Sequence, residues 1–172
     1  IAAAEARLMY SANAGQTWQI VKVGEADFQA GAVAYAPTQP AIAYAVERAK
    51  SGPPAPCRVA RSADGGATWV LVGAVACEPH SMTLEVEAGD GNAVALLVLG
   101  PYVSHLWSSR DGGRTWQVMP RSGGMPNGAI RSVIFDAADP ASRWLRRSNP
   151  EGIADRTMDA GATWQNVTSV GG

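Results

Sequence analysis

Four acids, Glu25, Asp27, Glu47 and Glu78, stand in or beside the longer polar segments of this chain, where Arg48, His80, Tyr102 and Arg121 are also found. Carboxylates of this kind can cleave a sugar bond when two of them lie across it and the surroundings keep one protonated. No spacing selects such a pair here. The same mixture of acids, bases and one tyrosine could instead line a polar groove that holds a glycan or a protein without reacting. A third reading is ordinary solvated loop charge, the default for these residue types. The two cysteines, Cys57 and Cys77, make no zinc site: two sulfurs are not four ligands, and His80 is the only histidine near them. Neither metal nor cofactor is expected, and the cysteines are left as a disulfide or as two free thiols.

What must position these residues is a phrase that occurs four times: Asn13-Ala14-Gly15-Gln16-Thr17-Trp18, Asp64-Gly65-Gly66-Ala67-Thr68-Trp69, Asp111-Gly112-Gly113-Arg114-Thr115-Trp116 and Asp159-Ala160-Gly161-Ala162-Thr163-Trp164. Its tryptophans are 51, 47 and 48 residues apart, a period that belongs to repeat architectures. The chemistry within each copy is a hairpin staple. An Asp or Asn side chain accepts bonds from backbone N–H groups just ahead of it, and the glycine two places on takes the positive φ of a tight turn. Threonine then re-enters an extended strand, and tryptophan brings a large apolar surface to anchor it. Ser11, Ser62, Ser109 and Thr157 each stand two residues before the Asp or Asn, at the end of a readable strand.

These segments resemble the Asp-box, or BNR repeat, Ser/Thr-x-Asp-x-Gly-x-Thr-Trp, over nearly the whole chain. The resemblance implies an all-β fold, a β-propeller arc of about three and a half four-stranded blades with Asp-box C–D turns. Its structural residues would be Asn13, Trp18, Asp64, Trp69, Asp111, Trp116, Asp159 and Trp164. The family includes sialidases, xyloglucanase-type glycoside hydrolases, sortilin-type receptors and photosystem II assembly propellers, and in it the box lies away from the active site, so it implies the fold and not the reaction. A sialidase would add three arginines, a tyrosine nucleophile and an Arg-Ile-Pro segment in the first blade. No Arg-Ile-Pro occurs.

Strands laid on the repeat divide the chain into a half blade over 1–24, with C and D strands only, and full blades over 25–73, 74–120 and 121–170. An arc of that size leaves strand edges and apolar sheet faces open. Either residues of a longer chain complete the ring, as the start without Met suggests, or arcs associate with one another. The B–C and D–A connections, opposite the boxes, carry Glu25, Asp27, Arg48, Glu78, His80, Tyr102 and Arg121. Antiparallel pairing about the second turn brings Cys57 and Cys77 close, and a bridge there would favour an oxidising, extracellular or periplasmic location.

Composition agrees with a folded all-β chain: 47% hydrophobic and 17% charged residues, with 19 Gly and 11 Pro for many short strands and turns. A net charge of −1 offers nothing to attract nucleic acid, and the apolar run Ala93–Leu99 is too short to span a bilayer. The departure from the repeat is Arg143-Trp144-Leu145-Arg146-Arg147, where the second blade has Ile42-Ala43-Tyr44-Ala45-Val46. These arginines are expected to meet local acids such as Asp136, Asp139 and Asp155, or to reach water, or to hold an acidic partner. The reading is a non-catalytic recognition or scaffold propeller for a protein or glycan partner. The alternative is a fragment of a secreted glycoside hydrolase.

Overall fold

The computed structural model describes residues 2–4, 7–24, 28–48, 56–77, 81–99, 104–119, 130–136, 139, 141–147, 154–159 and 161–167. Every regular element among them is a β-strand, and the strands form four antiparallel sheets in chain order. Sheet I holds β1 (Ala2–Ala4), β2 (Arg7–Tyr10) and β3 (Gln19–Ile20). It therefore has one strand more than the C and D pair expected: Ala3 pairs with Leu8 and gives the sheet a further inner strand. Sheet II holds β4 (Ala30–Ala36), β5 (Gln39–Glu47), β6 (Cys57–Ser62) and β7 (Val70–Val75). Sheet III holds β8 (Ser81–Val86), β9 (Val94–Leu99), β10 (His105–Ser109) and β11 (Gln117–Val118). Sheet IV holds β12 (Ile130–Phe135), β13 (Arg143–Arg147), β14 (Ala154–Thr157) and β15 (Gln165–Asn166). Each is a meander whose neighbours in space are its neighbours in sequence, which keeps every pairing local.

Three apolar clusters lie between successive sheets. Leu8, Val23, Phe28, Ala43, Ala45, Ala60 and Trp69 join I to II. Tyr44, Val46, Val59, Leu84, Leu96 and Val98 are among those joining II to III. Ala95, Leu97, Leu106, Met119, Val133, Leu145 and Trp164 join III to IV. Alternation explains the division, because successive side chains of a strand point to opposite faces. Ala43 and Ala45 face sheet I while Tyr44 and Val46 face sheet III. A strand covered on both sides must be apolar at every position, and Val94–Val98 of β9 are all buried.

Burial holds the sheets together more than hydrogen bonding does. A fully buried Leu or Val contributes about 1.5–3 kcal/mol, whereas a hydrogen bond nets about 0.5–1.5 kcal/mol. The bonds that cross the II/III interface serve registration: Tyr44 Oη donates to the Gly91 carbonyl at 2.7 Å, and Thr38 Oγ1 donates to the Ala88 carbonyl. One glycine is dictated by the approach of the sheets. A Cβ on Gly73 would lie 2.4 Å from the Gly113 carbonyl oxygen of the next sheet, a separation that no side chain tolerates.

Candidate functional site

The four repeated turns are built alike. In the second, Ser62 Oγ donates to Asp64 Oδ1 at 2.8 Å and accepts from the Gly66 N–H at 2.8 Å. Asp64 Oδ1 accepts the Thr68 N–H at 2.9 Å, and Asp64 Oδ2 accepts the Thr68 hydroxyl at 2.6 Å. Asp111 and Asp159 bind Thr115 and Thr163 in the same way. Trp18, Trp69 and Trp116 donate Nε1–H to the carbonyls of Gly15, Gly66 and Gly113 at 2.9–3.0 Å. The fourth turn differs, since Trp164 Nε1 is buried and has no hydrogen-bond partner among the described residues. Gly66, Gly113 and Gly161 all carry φ between 82° and 98°, the left-handed conformation that glycine takes without strain.

In the first turn Asn13 replaces the acid and the polarity of one bond reverses: Asn13 Nδ2 donates to Thr17 Oγ1 at 2.9 Å, while Oδ1 still accepts the Thr17 N–H. The three aspartates are held at a pKa of about 2, below their ordinary 3.8, first by the threonine hydroxyl and then by the threonine N–H. A depressed carboxylate contributes stability that is complete above its unfolded value and lost as pH falls toward its folded one. The window is therefore about pH 4 to 2. Asn13 does not titrate, so it shows how the turn can be freed of this dependence. The triple variant Asp64→Asn, Asp111→Asn, Asp159→Asn is expected to keep the fold and to lose less stability between pH 4.5 and pH 2.5 than the parent. Urea unfolding at both pH values checks it, and parallel losses would refute the cause assigned.

On the opposite side, only Arg48 of the candidate binding residues falls among those described; it is exposed, just beyond β5, and its N–H donates to the Gln29 carbonyl at 2.6 Å. Glu25, Asp27, Glu78, His80, Tyr102 and Arg121 lie outside the described residues. Glu47, one of the four acids considered above, has a structural partner. Arg58 Nε and Nη2 reach its two carboxylate oxygens at 2.8 and 2.6 Å, and the guanidinium lies 5.7 Å from the centre of the Phe28 ring. Beside this pair Cys57 and Cys77 form a disulfide with their Cα atoms 5.8 Å apart. Both cysteines are buried in the II/III cluster. Among the described residues no group of three or more His, Cys, Asp or Glu could hold a metal ion.

Two acids emerge that the sequence reading did not single out, and Arg143, which it did, takes a different place from the one expected. Glu85, on the innermost strand of sheet III, is half-buried, and burial pushes its carboxyl up. Glu87 is 2% exposed, with its carboxyl also raised by burial and opposed by Arg143 and Arg110. Arg143 does not reach water as expected: it is 2% exposed, lies 4.7 Å from the Phe135 ring centre, and Nη1 donates to Met119 Sδ at 3.5 Å. Burial lowers its pKa first, Arg110 lowers it further and Glu87 opposes both. The available signal was alternation, which puts Arg143 on the Leu145 side of β13, toward sheet III; that an acid from another sheet faces it there depends on long-range packing. Two shallow hollows line the outer rim. One of about 220 Å³ is bordered by Arg156, Met158, Asp159, Thr163, Gln165 and Val167, and its counterpart in sheet III, of about 200 Å³, includes Arg110, Asp111, Thr115 and Gln117.

No protein-family model matches the chain, and no curated protein matches it. Solved structures do. An ancestral GH74 enzyme superposes with a TM-score of 0.64 at 18% identity, over 98% of this chain and 22% of its own. The GH74 xyloglucanase from Xanthomonas campestris gives 0.58 at 19%, over 83% of this chain and 24% of its own. YCF48 bound to D1 peptide gives 0.54 at 17%, over 95% of this chain and 48% of its own. The chain thus spans under half the length of each of these structures, and at such identities the likeness is one of fold. With four successive meander sheets packed face to face, the chain is an arc of β-propeller blades.

Proposed function

We propose that this arc is a non-catalytic recognition or scaffold unit of the Asp-box type, which presents its B–C and D–A loops to a protein or glycan partner. The observation that carries the reading is that four of the described acids are committed to structural bonds. Asp64, Asp111 and Asp159 close turns, and Glu47 is held at both oxygens by Arg58. Acids engaged in this way are poor proton donors or nucleophiles, because catalysis would forfeit the bonds that hold the hairpins. A structure of the same fold, YCF48, is solved with a peptide bound, which makes peptide recognition a natural use of such blades. The disulfide supports an extracellular or periplasmic setting, where such bonds persist.

The second reading, part of a secreted glycoside hydrolase, is favoured by one feature. Glu85 is a half-buried carboxyl on an innermost strand whose pKa burial raises, the direction a general acid requires. Binding and hydrolysis of xyloglucan oligosaccharides, measured together with peptide binding, separate the two. Binding without turnover is expected. Turnover abolished by Glu78→Gln, Asp27→Asn or Glu85→Gln would defeat the scaffold reading.

A further inference from the structure

The III/IV interface carries charge where the II/III interface carries hydrocarbon. Ser62, Ser109 and Thr157 precede the repeated turns of sheets II, III and IV, and they pair with Ala43, Val94 and Arg143 on the neighbouring strand. Arg143 thus stands where sheet III has Val94, a member of the II/III cluster. The innermost strands correspond in the same way, since Tyr35 pairs with Ala43 and Val86 with Val94. Glu85 and Glu87 therefore stand where sheet II has Ala34 and Ala36, both packed in the II/III cluster.

Both acids are on the face of sheet III that meets sheet IV. Glu85 pairs with Ala95 of the III/IV cluster, and the Glu87 N–H donates to the Ala93 carbonyl at 2.9 Å, so alternation returns Glu87 to the same face. Glu87 and Arg143 are both buried, yet among the described residues Glu87 Oε2 and Arg143 Nε have no hydrogen-bond partner. The charges that bear on Glu87 are Arg143 from β13, Arg110 from the turn after β10 and Asp90 from the β8–β9 connection. Glu85 shares its strand, and Asp155, paired with Leu145, shares the interface. A buried carboxylate with one oxygen unpartnered is costly, and its protonated form much less so. The guanidinium has no such recourse, because it stays charged.

We propose that Glu87 makes the III/IV interface a proton-operated seam, in which sheet IV docks more tightly on sheet III when the carboxyl is protonated and loosens when it ionises. When sheet IV lifts away, water reaches Glu87 and restores its ordinary value of 4.5; in the closed interface burial raises that value, Arg143 and Arg110 oppose the rise and Asp90 adds to it. A closed form that binds the proton more tightly gains stability as pH falls through its own value, in full below about 4.5, and loses it as pH rises. The sign is opposite to that of the turn aspartates, whose contribution fades only below about pH 4. The inference is independent of whether the loops recognise or cleave.

Amide hydrogen exchange of the 172-residue chain, measured in steps from pH 7 to pH 4.5 and expressed as protection so that the intrinsic pH effect is removed, tests the seam. The amides of β12–β14 are expected to gain protection relative to those of β4–β6 as pH falls. Glu87→Gln places an uncharged group of the same shape there and should hold β12–β14 at the protected level throughout. Arg143→Val supplies the side chain that sheet III has at this position and removes an opposing cation, so it should move the midpoint of the change to higher pH, whatever its effect on overall protection. Equal protection of sheet IV across the range in the parent, a gain that survives in Glu87→Gln, or a midpoint that Arg143→Val leaves in place would each overturn the proposal. Should Glu87→Gln fail to fold, the parent profile and the Arg143→Val midpoint still decide it.

Discussion

Replacing Trp69 by Ala is expected to lower the unfolding free energy by about 3–5 kcal/mol, whereas Trp18→Ala should cost less than about 1.5 kcal/mol. Both tryptophans close the same turn and donate to the same kind of glycine carbonyl, at 2.9 and 3.0 Å. The difference is what covers the ring. Trp69 lies in the I/II cluster with Leu8, Phe28 and Ala60 and is 5% exposed, so truncation opens a cavity between two sheets. Trp18 is 43% exposed, and its loss removes one surface hydrogen bond and part of a ring contact. Urea denaturation of both variants decides the matter. Equal losses would mean that the turn, rather than the neighbouring sheet, supplies the energy.

Breaking the Cys57–Cys77 bridge should produce the other large effect. The bond closes a loop with a sequence separation of 20, and the loss of loop entropy in the unfolded chain is worth roughly 3 kcal/mol. The double variant Cys57→Ala, Cys77→Ala should therefore unfold at markedly lower urea concentration. Wild-type protein treated with reductant should approach the same midpoint. Both sulfurs sit in the II/III cluster beside Val59 and Val75, so the variant also loses some packing and should be slightly the less stable of the two. Reduced protein as stable as oxidised protein would show that the bridge contributes nothing to the fold.

Much of the scaffold was legible from the chain because its signals are local. Ser62, Asp64, Gly66 and Thr68 lie within seven residues, and every bond among them is made inside that span. Such chemistry needs no distant partner, so the repeat can be read four times over. Strand alternation likewise places Leu145 and Arg143 on one side of β13 and Trp144 on the other. The limits of the first sheet were less clear, because Ala2–Ala4 carries no pattern of its own and is a strand only through its pairing with Arg7–Met9.

The candidate site was harder, and Glu47 shows why. As a sequence position it is one exposed-type acid among four, free to be catalytic. Antiparallel pairing of β5 with β6 brings Arg58 alongside and turns it into half of a partly buried ion pair. Glu87 and Arg143 are 56 residues apart in sequence, and only the stacking of sheet IV on sheet III makes them neighbours.

By itself, then, the amino-acid order determined the hairpins: turn chemistry, strand polarity and the near-50-residue rhythm are written in contacts between residues a few places apart. Tertiary structure decided which of four like tryptophans are buried and which acids meet a cation. The physical reason is range. A turn is satisfied by its own hydroxyls and amides, whereas burial and charge pairing depend on what the neighbouring sheet places opposite.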